Sequence, residues 1–308
     1  MNVPQESGLT VSPGRARYTR RLLSPGSPRG DRGGYGGSSP REITALPRPA
    51  GSWRLSVRAL RCWLVMYRRT WQGTVWSSVF GPLFYLGAMG YGLGSLVDKN
   101  GTAAIGGVPY VVFVAPAVLA VQAMNSGLSN ALFPVFGAVH WHRVYIAARA
   151  TTLRPVDIYR GHLMFITLRI VMNSACFVII MAAFGLIRSP WAVLLLPAAT
   201  LTGFAFAVPT AAWAVTLERE NSLSYPIRFV AVPLMLFSGT FFPISELPWW
   251  IRPLAYATPL WHGVDLCRGL SLGTVDPGSA AINVGYLLAL AGIGLWAGAR
   301  TYRRRLYV

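Results

Sequence analysis

The chain has 308 residues, 53% of them hydrophobic and only 12% charged, with a formal net charge of +18. Soluble domains usually carry about 25% charged residues, so this composition argues against a soluble enzyme or binding module and for a membrane protein. Thirteen basic residues lie between Arg15 and Arg69 and four arginines stand at 300 and 303–305; charge gathered at the ends of an apolar chain reads as topology, with no nucleic acid as partner.

Residues 1–50 are rich in Gly, Ser, Pro and Arg. They cannot bury a core and are expected to form a disordered cytoplasmic tail, with attraction of its arginines to anionic membrane lipids and a mis-assigned start codon as equal alternative readings. No apolar h-region of a signal peptide is present in them. Beyond them, Trp53, Val57, Leu60, Leu64, Tyr67 and Trp71 recur at alternating steps of four and three, while Arg54, Arg58, Arg61 and Arg68 lie off that stripe. This predicts an amphipathic helix over 51–72 lying in the headgroup plane; the alternative is an ordinary packed amphipathic helix.

A transmembrane domain is expected over 73–308. Six apolar runs occupy roughly 73–95, 107–132, 161–187, 190–216, 225–242 and 278–299. Most reach the about 20 residues a spanning helix needs, and the fifth is near the lower limit. Their continuity, without two-residue alternation, predicts helices and not a β-barrel. The expected fold is an all-α integral membrane protein with six transmembrane helices. One side of the membrane collects the N-terminal arginines, Arg143, Arg149, Arg154, Arg160, Arg219 and the last four arginines; the other has Lys99, Arg188, Arg252 and Arg268. By the positive-inside rule both termini of this multi-pass cell-membrane protein are cytoplasmic, and a single lysine against 27 arginines suggests a GC-rich, bacterial genome.

Segment 238–270, "SGTFFPISELPWWIRPLAYATPLWHGVDLCRGL", therefore falls on the outer side. Its four prolines and its charges disfavour a seventh span, because a central charge costs about 2.5–3.5 kcal/mol on insertion scales. Two short re-entrant or interfacial helices fit better. One is expected around 248–257 with Ser245 as a cap, the other around 260–270 with an Asp265–Arg268 pair.

Catalysis finds little support. The only lysine is Lys99, followed by Asn100, so no G-x-x-x-x-G-K-[ST] phosphate loop exists and the chain carries no nucleotide site of that kind. Cys62, Cys176 and Cys267 are isolated, and His140 and His142 lack a third ligand in sequence, so no metal site is assigned. Polarity within the spans comes from Gln122, Asn125, Ser126 and Asn130 in the second run and from Arg169 and Asn173 in the third. Intramembrane polar groups are functional candidates, so Gln122, Asn125, Arg169 and Asn173 are read as a possible substrate path, although helix–helix bonding or snorkelling explains them equally well. Glu218 and Glu220 stand on a cytoplasmic loop, read either as contacting a partner or pairing with Arg154 or Arg160, or as simply solvated.

The layout resembles the permease subunits of type-2 ABC exporters, a family that includes daunorubicin-resistance permeases and nodulation lipo-oligosaccharide exporters. The resemblance runs from about Trp53 to Val308. Its most specific part is the outer segment, read as "SG.FFP...LP.W......PL.H.....R"; a second part is "RATTLRPVDIYRGHL" before the third span. The long N-terminal tail departs from the pattern. The resemblance implies a six-span permease without enzymatic activity, paired with a second copy or a related permease. It also implies a separate ATPase partner that binds ATP and Mg, so the permease needs no cofactor of its own. Thr151, Thr152, Leu153, Arg154, Pro155 and Asp157 become candidates for coupling to that ATPase, together with Glu218 and Glu220; the residues alone read equally well as a basic inner loop. Phe241, Phe242, Trp249, Trp250, Trp261 and His262 become candidates for an outer gate. Export of an amphipathic substrate, such as a lipid-linked saccharide, a glycolipid or a hydrophobic drug, is the expected function. A secondary transporter would show paired broken helices in two repeated halves; a membrane-embedded lipid-modifying enzyme would show an acidic or metal-binding motif near a span end.

Overall fold

The computed structural model describes residues 52–99, 107–141, 144–145 and 153–306. The tail over 1–50, together with Thr151, Thr152 and His142, lies outside them. Every regular element among the described residues is helical. Four stretches, Tyr110–Val139, Pro155–Ala183, Pro190–Ala214 and Pro277–Arg305, are long and apolar enough to cross a membrane.

The first helix, α1 (Ser52–Tyr67), stops where Arg69 and Thr70 donate to carbonyls three residues back, a tightened last turn that separates it from α2 (Trp71–Gly87). Trp71 therefore belongs to α2, not to the α1 stripe. That stripe is also not the face that packs. Leu55, Ser56, Ala59 and Trp63 are buried, whereas Trp53 is 69% exposed. The buried face lies against the helix carrying Gly161, where an added Cβ would come within 2.5 Å of the Ala59 Cβ and 2.7 Å of the Ser56 carbonyl. Close backbone approach over small residues is how helices associate in lipid, and it leaves little hydropathy signal. So α1 has three faces: one packed, one apolar flank turned outward, and one bearing exposed Arg54, Arg58 and Arg61.

Helix α2 continues through a π-helical stretch, Ala88–Gly94, into α3 (Ser95–Lys99). The widened turn falls on "AMGYGLG", where three glycines lower the cost of leaving α geometry. The central helix, α4 (Tyr110–Val139), is buried over most of its length. Next, α5 (Pro155–Ala183) starts with Pro155 at its first turn, a position that needs no N–H partner. After a 3-10 turn capped by Ser189, α6 (Leu195–Ala214) returns along α4. At their crossing an added Cβ on Gly127 would stand 2.2 Å from the Gly203 carbonyl oxygen, and one on Gly203 would stand 2.6 Å from that of Ala123. The expected fifth span is a π-helical piece, Pro226–Ala231, followed by α7 (Val232–Phe237), with prolines at 226 and 233.

The outer segment is more irregular than its prolines suggest. A turn at Gly239 (φ +74) and a 3-10 turn at Ile244–Glu246 precede α8 (Arg252–Tyr256), which is half the predicted length, and Ser245 does not cap it. Helix α9 (Pro259–Leu272) is capped by Thr258, whose Oγ1 accepts from the Trp261 N–H, and closes on Gly273 in the left-handed region. At 14 residues it is about 21 Å long, short of the about 30 Å hydrocarbon layer. The last helix, α10 (Pro277–Leu306), packs on α6, α9 and α5.

Candidate functional site

The outer segment is stitched to the bundle by one arginine and a chain of polar side chains. Arg268 donates from Nη2 to the carbonyl of Gly239 (2.8 Å) and more weakly to that of Thr240 (3.4 Å). Its Nε donates to the carbonyl of Phe113 (3.3 Å), and the guanidinium lies 3.8 Å from the Phe113 ring centroid. Burial pulls the Arg268 pKa down to about 10, which leaves it protonated at neutral pH. The expected Asp265–Arg268 pair is replaced by bonds to other elements. Asp265 accepts from Asn283 Nδ2 (2.8 Å), and Asn283 Oδ1 in turn meets His262 Nδ1 at 2.7 Å. Tyr286 stacks on His262 with centroids 4.1 Å apart and donates to the Ala257 carbonyl. Tyr110 donates to the carbonyl of Phe241.

The gate candidates separate within this frame. Trp249 and Trp250 are 80% and 66% exposed, as aromatic anchors at an interface would be. Phe242 is exposed, while Phe241 turns inward. Trp261 packs on a small core of Ile244, Leu247 and Ala255, and His262 is buried. Arg268, Asn283 and Tyr286 were missed as contributors; only the arginine closing the outer motif hinted at one of them.

Beneath this segment lies a cleft of about 210 Å³. Gln122 and Asn125 of α4 give it polarity, Tyr85 of α2 and Phe177 of α5 line its sides, and Thr240 and Phe241 bring the outer segment to it. Asn173 does not line this cleft. Its Nδ2 donates to Ser126 Oγ (2.9 Å), and its Oδ1 lies 2.5 Å from Ser78 Oγ, which is also 2.7 Å from the Thr74 carbonyl. Arg169 donates to Thr74 Oγ1 (3.1 Å) and lies 5.3 Å from the Tyr67 ring centroid. Thr74 and Ser78, one turn apart on α2, thus join Arg169 and Asn173 into one polar seam. That seam connects α2, α4 and α5 inside the apolar bundle. Neither hydroxyl stood out in the sequence, since Ser and Thr can also bond back to their own helix.

At the opposite end, Leu153 is half-buried and Arg154 exposed, while Pro155 and Asp157 are buried. The carboxyl of Asp157 thus turns into the chain, and the outward part of the coupling candidate is Arg154 with Leu153. Glu218 pairs with Arg305 at 3.1 Å, not with Arg154 or Arg160, and Arg305 also donates to the Thr216 carbonyl. Glu220 is exposed, and His140 Nε2 lies 2.8 Å from the Leu217 carbonyl. Behind them, the Tyr145 hydroxyl bonds to His162 Nδ1 and lies 3.4 Å from that of Tyr302. Trp63 stacks on His162 at 3.9 Å, and burial raises the Tyr145 phenol well above its ordinary pKa. This aromatic cluster locks α1, the 144–145 segment, α5 and α10 together next to the coupling candidate.

Comparison with known proteins places the chain in a family. The family described as ABC-2 type transporter matches residues 53–272. Nodulation protein J of Rhizobium leguminosarum bv. trifolii is 31% identical over 258 residues, covering 79% of this chain and 94% of that protein. The proteins of the same name from Sinorhizobium fredii and Rhizobium meliloti are 27% and 28% identical, over 84% and 82% of this chain and 96% and 99% of their own length. The chain belongs to the ABC-2 type transporter family, as a multi-pass membrane subunit for transport.

Proposed function

We propose that this ABC-2 family member is the permease of an ATP-driven exporter in a bacterial cell membrane, moving an amphipathic substrate outward. The observation that best supports an export path is the cleft in which Gln122 and Asn125 meet Thr240 and Phe241 of the outer segment. Polar side chains facing a cavity inside an apolar bundle mark substrate pathways, and here the cavity adjoins the part of the chain expected outside. The substrate class is that of a glycolipid, a lipid-linked saccharide such as a lipo-oligosaccharide, or a hydrophobic drug. Six crossings follow when the π-interrupted stretch 71–99 and the unbroken run 220–237, a 3-10 turn, a π-helical piece and α7 in succession, are counted with the four long helices, leaving both termini cytoplasmic and the outer segment re-entrant or interfacial.

Two such permeases, identical or related, form the working pair. ATP and Mg are bound by a separate ATPase that docks near residues 151–157, with Arg154 and Leu153 outermost and Glu218 and Glu220 beside it. The domain division follows: tail over 1–50, interfacial helix over 51–72, transmembrane domain over 73–308. The test is co-expression with a candidate ABC ATPase subunit, followed by ATP-driven export in reconstituted vesicles. Replacing residues 153–157 with Gly/Ser is expected to abolish export while the outer segment stays folded. Normal ATP hydrolysis and export after that replacement would sink the coupling assignment, and absence of any ATP-dependent export would sink the function.

A further inference from the structure

Arg169 is the central residue of α5, fourteen positions from Pro155 and fourteen from Ala183. Its neighbour Ile170 packs on α6 at Gly203, where an added Cβ would stand 2.8 Å from the Ile170 Cγ2. Helix α6, at 20 residues and about 30 Å, matches the hydrocarbon layer and serves as a ruler. Gly203 lies eight residues from Leu195 and eleven from Ala214, about 12 and about 16 Å. Arg169 is therefore near mid-height, too deep for its side chain to snorkel to either surface.

No carboxylate of the described residues stands at that level. Of the ten acidic residues, three precede α1. Asp98 and Asp157 sit at helix ends, Glu218 and Glu220 follow α6, and Glu246, Asp265 and Asp276 lie on the side of the outer segment. A second copy in the same orientation brings the same residues at the same heights, so pairing two copies adds no counter-charge there. What Arg169 touches is neutral: Nη2 donates to Thr74 Oγ1, and the guanidinium lies 5.3 Å from the Tyr67 ring centroid. Its Nε is buried and has no hydrogen-bond partner among the described residues. An intramembrane cation marks a binding or transport role, and a guanidinium with an unused N–H suits a carboxylate or phosphate.

The surroundings tie this cation to the Gln122 cleft. Arg169, Asn173 and Phe177 recur every four residues and share one face of α5, and Phe177 lines the cleft. Thr74, Ser78 and Pro82 do the same on α2, and Pro82 lines the cleft too. Cleft and cation are two stations on one α2–α5 seam, eight residues or about 12 Å apart. We propose that Arg169 binds an acidic group, a phosphate or carboxylate, carried by the exported amphiphile, so that the cargo is anionic; this rests on the chain being an exporter. A lipid headgroup would have to sink about 12 Å from the surface to reach Arg169, whereas a substrate crossing the bundle passes this level.

The test uses the full chain in phosphatidylcholine nanodiscs and two diazirine probes with the same alkyl chain, an alkyl phosphate and an uncharged alkyl glucoside. Labelled peptides are mapped by mass spectrometry. The phosphate probe should label α2 and α5 around Thr74 and Arg169 about tenfold more than the glucoside, the scale of one charge-assisted contact. Arg169→Gln should remove that preference, and Arg169→Lys, which keeps the charge, should retain part of it, with helix content by circular dichroism unchanged in both. Added inorganic phosphate, or phosphatidylglycerol in the disc, should leave labelling unchanged. Equal labelling of the unmodified chain by the two probes overturns the proposal. So does an unchanged preference in Arg169→Gln, or displacement by phosphatidylglycerol or inorganic phosphate, which would make Arg169 a site for lipid or free anion. Labelling needs no ATPase, so the two conclusions fail separately. A chain that exports without the preference overturns the anionic cargo; a chain that keeps the preference without exporting overturns the exporter and leaves Arg169 an oxyanion site.

Discussion

Replacing Arg268 by alanine should release the outer segment from the bundle. The substitution removes a charged hydrogen bond to the Gly239 carbonyl, two longer bonds to Thr240 and Phe113, and the guanidinium stacked on the Phe113 ring. Counting only the 2.8 Å bond, at about 2 kcal/mol for a charged donor, and the desolvated cation–π contact, also about 2 kcal/mol, the loss is about 4 kcal/mol. At about 2–4 °C per kcal/mol for a domain of this size, the purified permease should melt roughly 10 °C lower. Arg268→Lys keeps the charge but not the planar fork that reaches several carbonyls at once, and should fall between the two. The measurement is thermal unfolding in one detergent, followed by limited proteolysis near Trp249 and Trp250, which should become faster in the alanine variant. Melting within about 2 °C of the unmodified protein, with unchanged proteolysis, would refute the clamp.

Gly203→Val should block assembly of α4 against α6, because a Cβ there already stands 2.6 Å from a carbonyl oxygen; overpacking of about 3 kcal/mol or more should appear as loss of monodisperse protein on size exclusion. Gln122→Leu with Asn125→Leu should cut ATP-driven export severalfold with melting nearly unchanged, since neither side chain belongs to the Ser78–Asn173–Ser126 seam. Asn173→Ala should instead cost roughly 1 kcal/mol of stability, about 0.6 kcal/mol for each interhelical bond lost, and show first in unfolding. Trp249→Ala with Trp250→Ala should leave stability unchanged and lower export, as expected of exposed rings at the exit; normal export would make them anchors only.

The long helices were legible because unbroken apolar runs have few other ways to be satisfied in a bilayer, and Pro155 announced the start of α5. The outer segment was legible in outline, because its prolines and charges forbid a span. Its internal bonds were not, since Arg268 meets Gly239 and Phe113, which lie 29 and 155 residues away. The packed face of α1 was not legible for another reason. Trp53 and Leu60 dominate any hydropathy stripe, whereas Ser56 and Ala59 make the contact by being small enough for Gly161 to approach. Within the spans, Gln122 and Asn173 looked alike in sequence; only the hydroxyls of Ser78 and Ser126 separate the one that lines a cavity from the one that joins helices.

The crossing of Gly127 over Gly203 limits how the protein can move. With backbone already against backbone, sliding α4 along α6 by one turn, about 5.4 Å, would carry the methyl group of Ala131 or Ala207 toward the place where only a hydrogen now fits. Those two helices therefore act as a keel and travel as one piece through any working cycle. The alternation has to be borne at the margins, by α2 with its widened π turn and by the short, proline-broken α7.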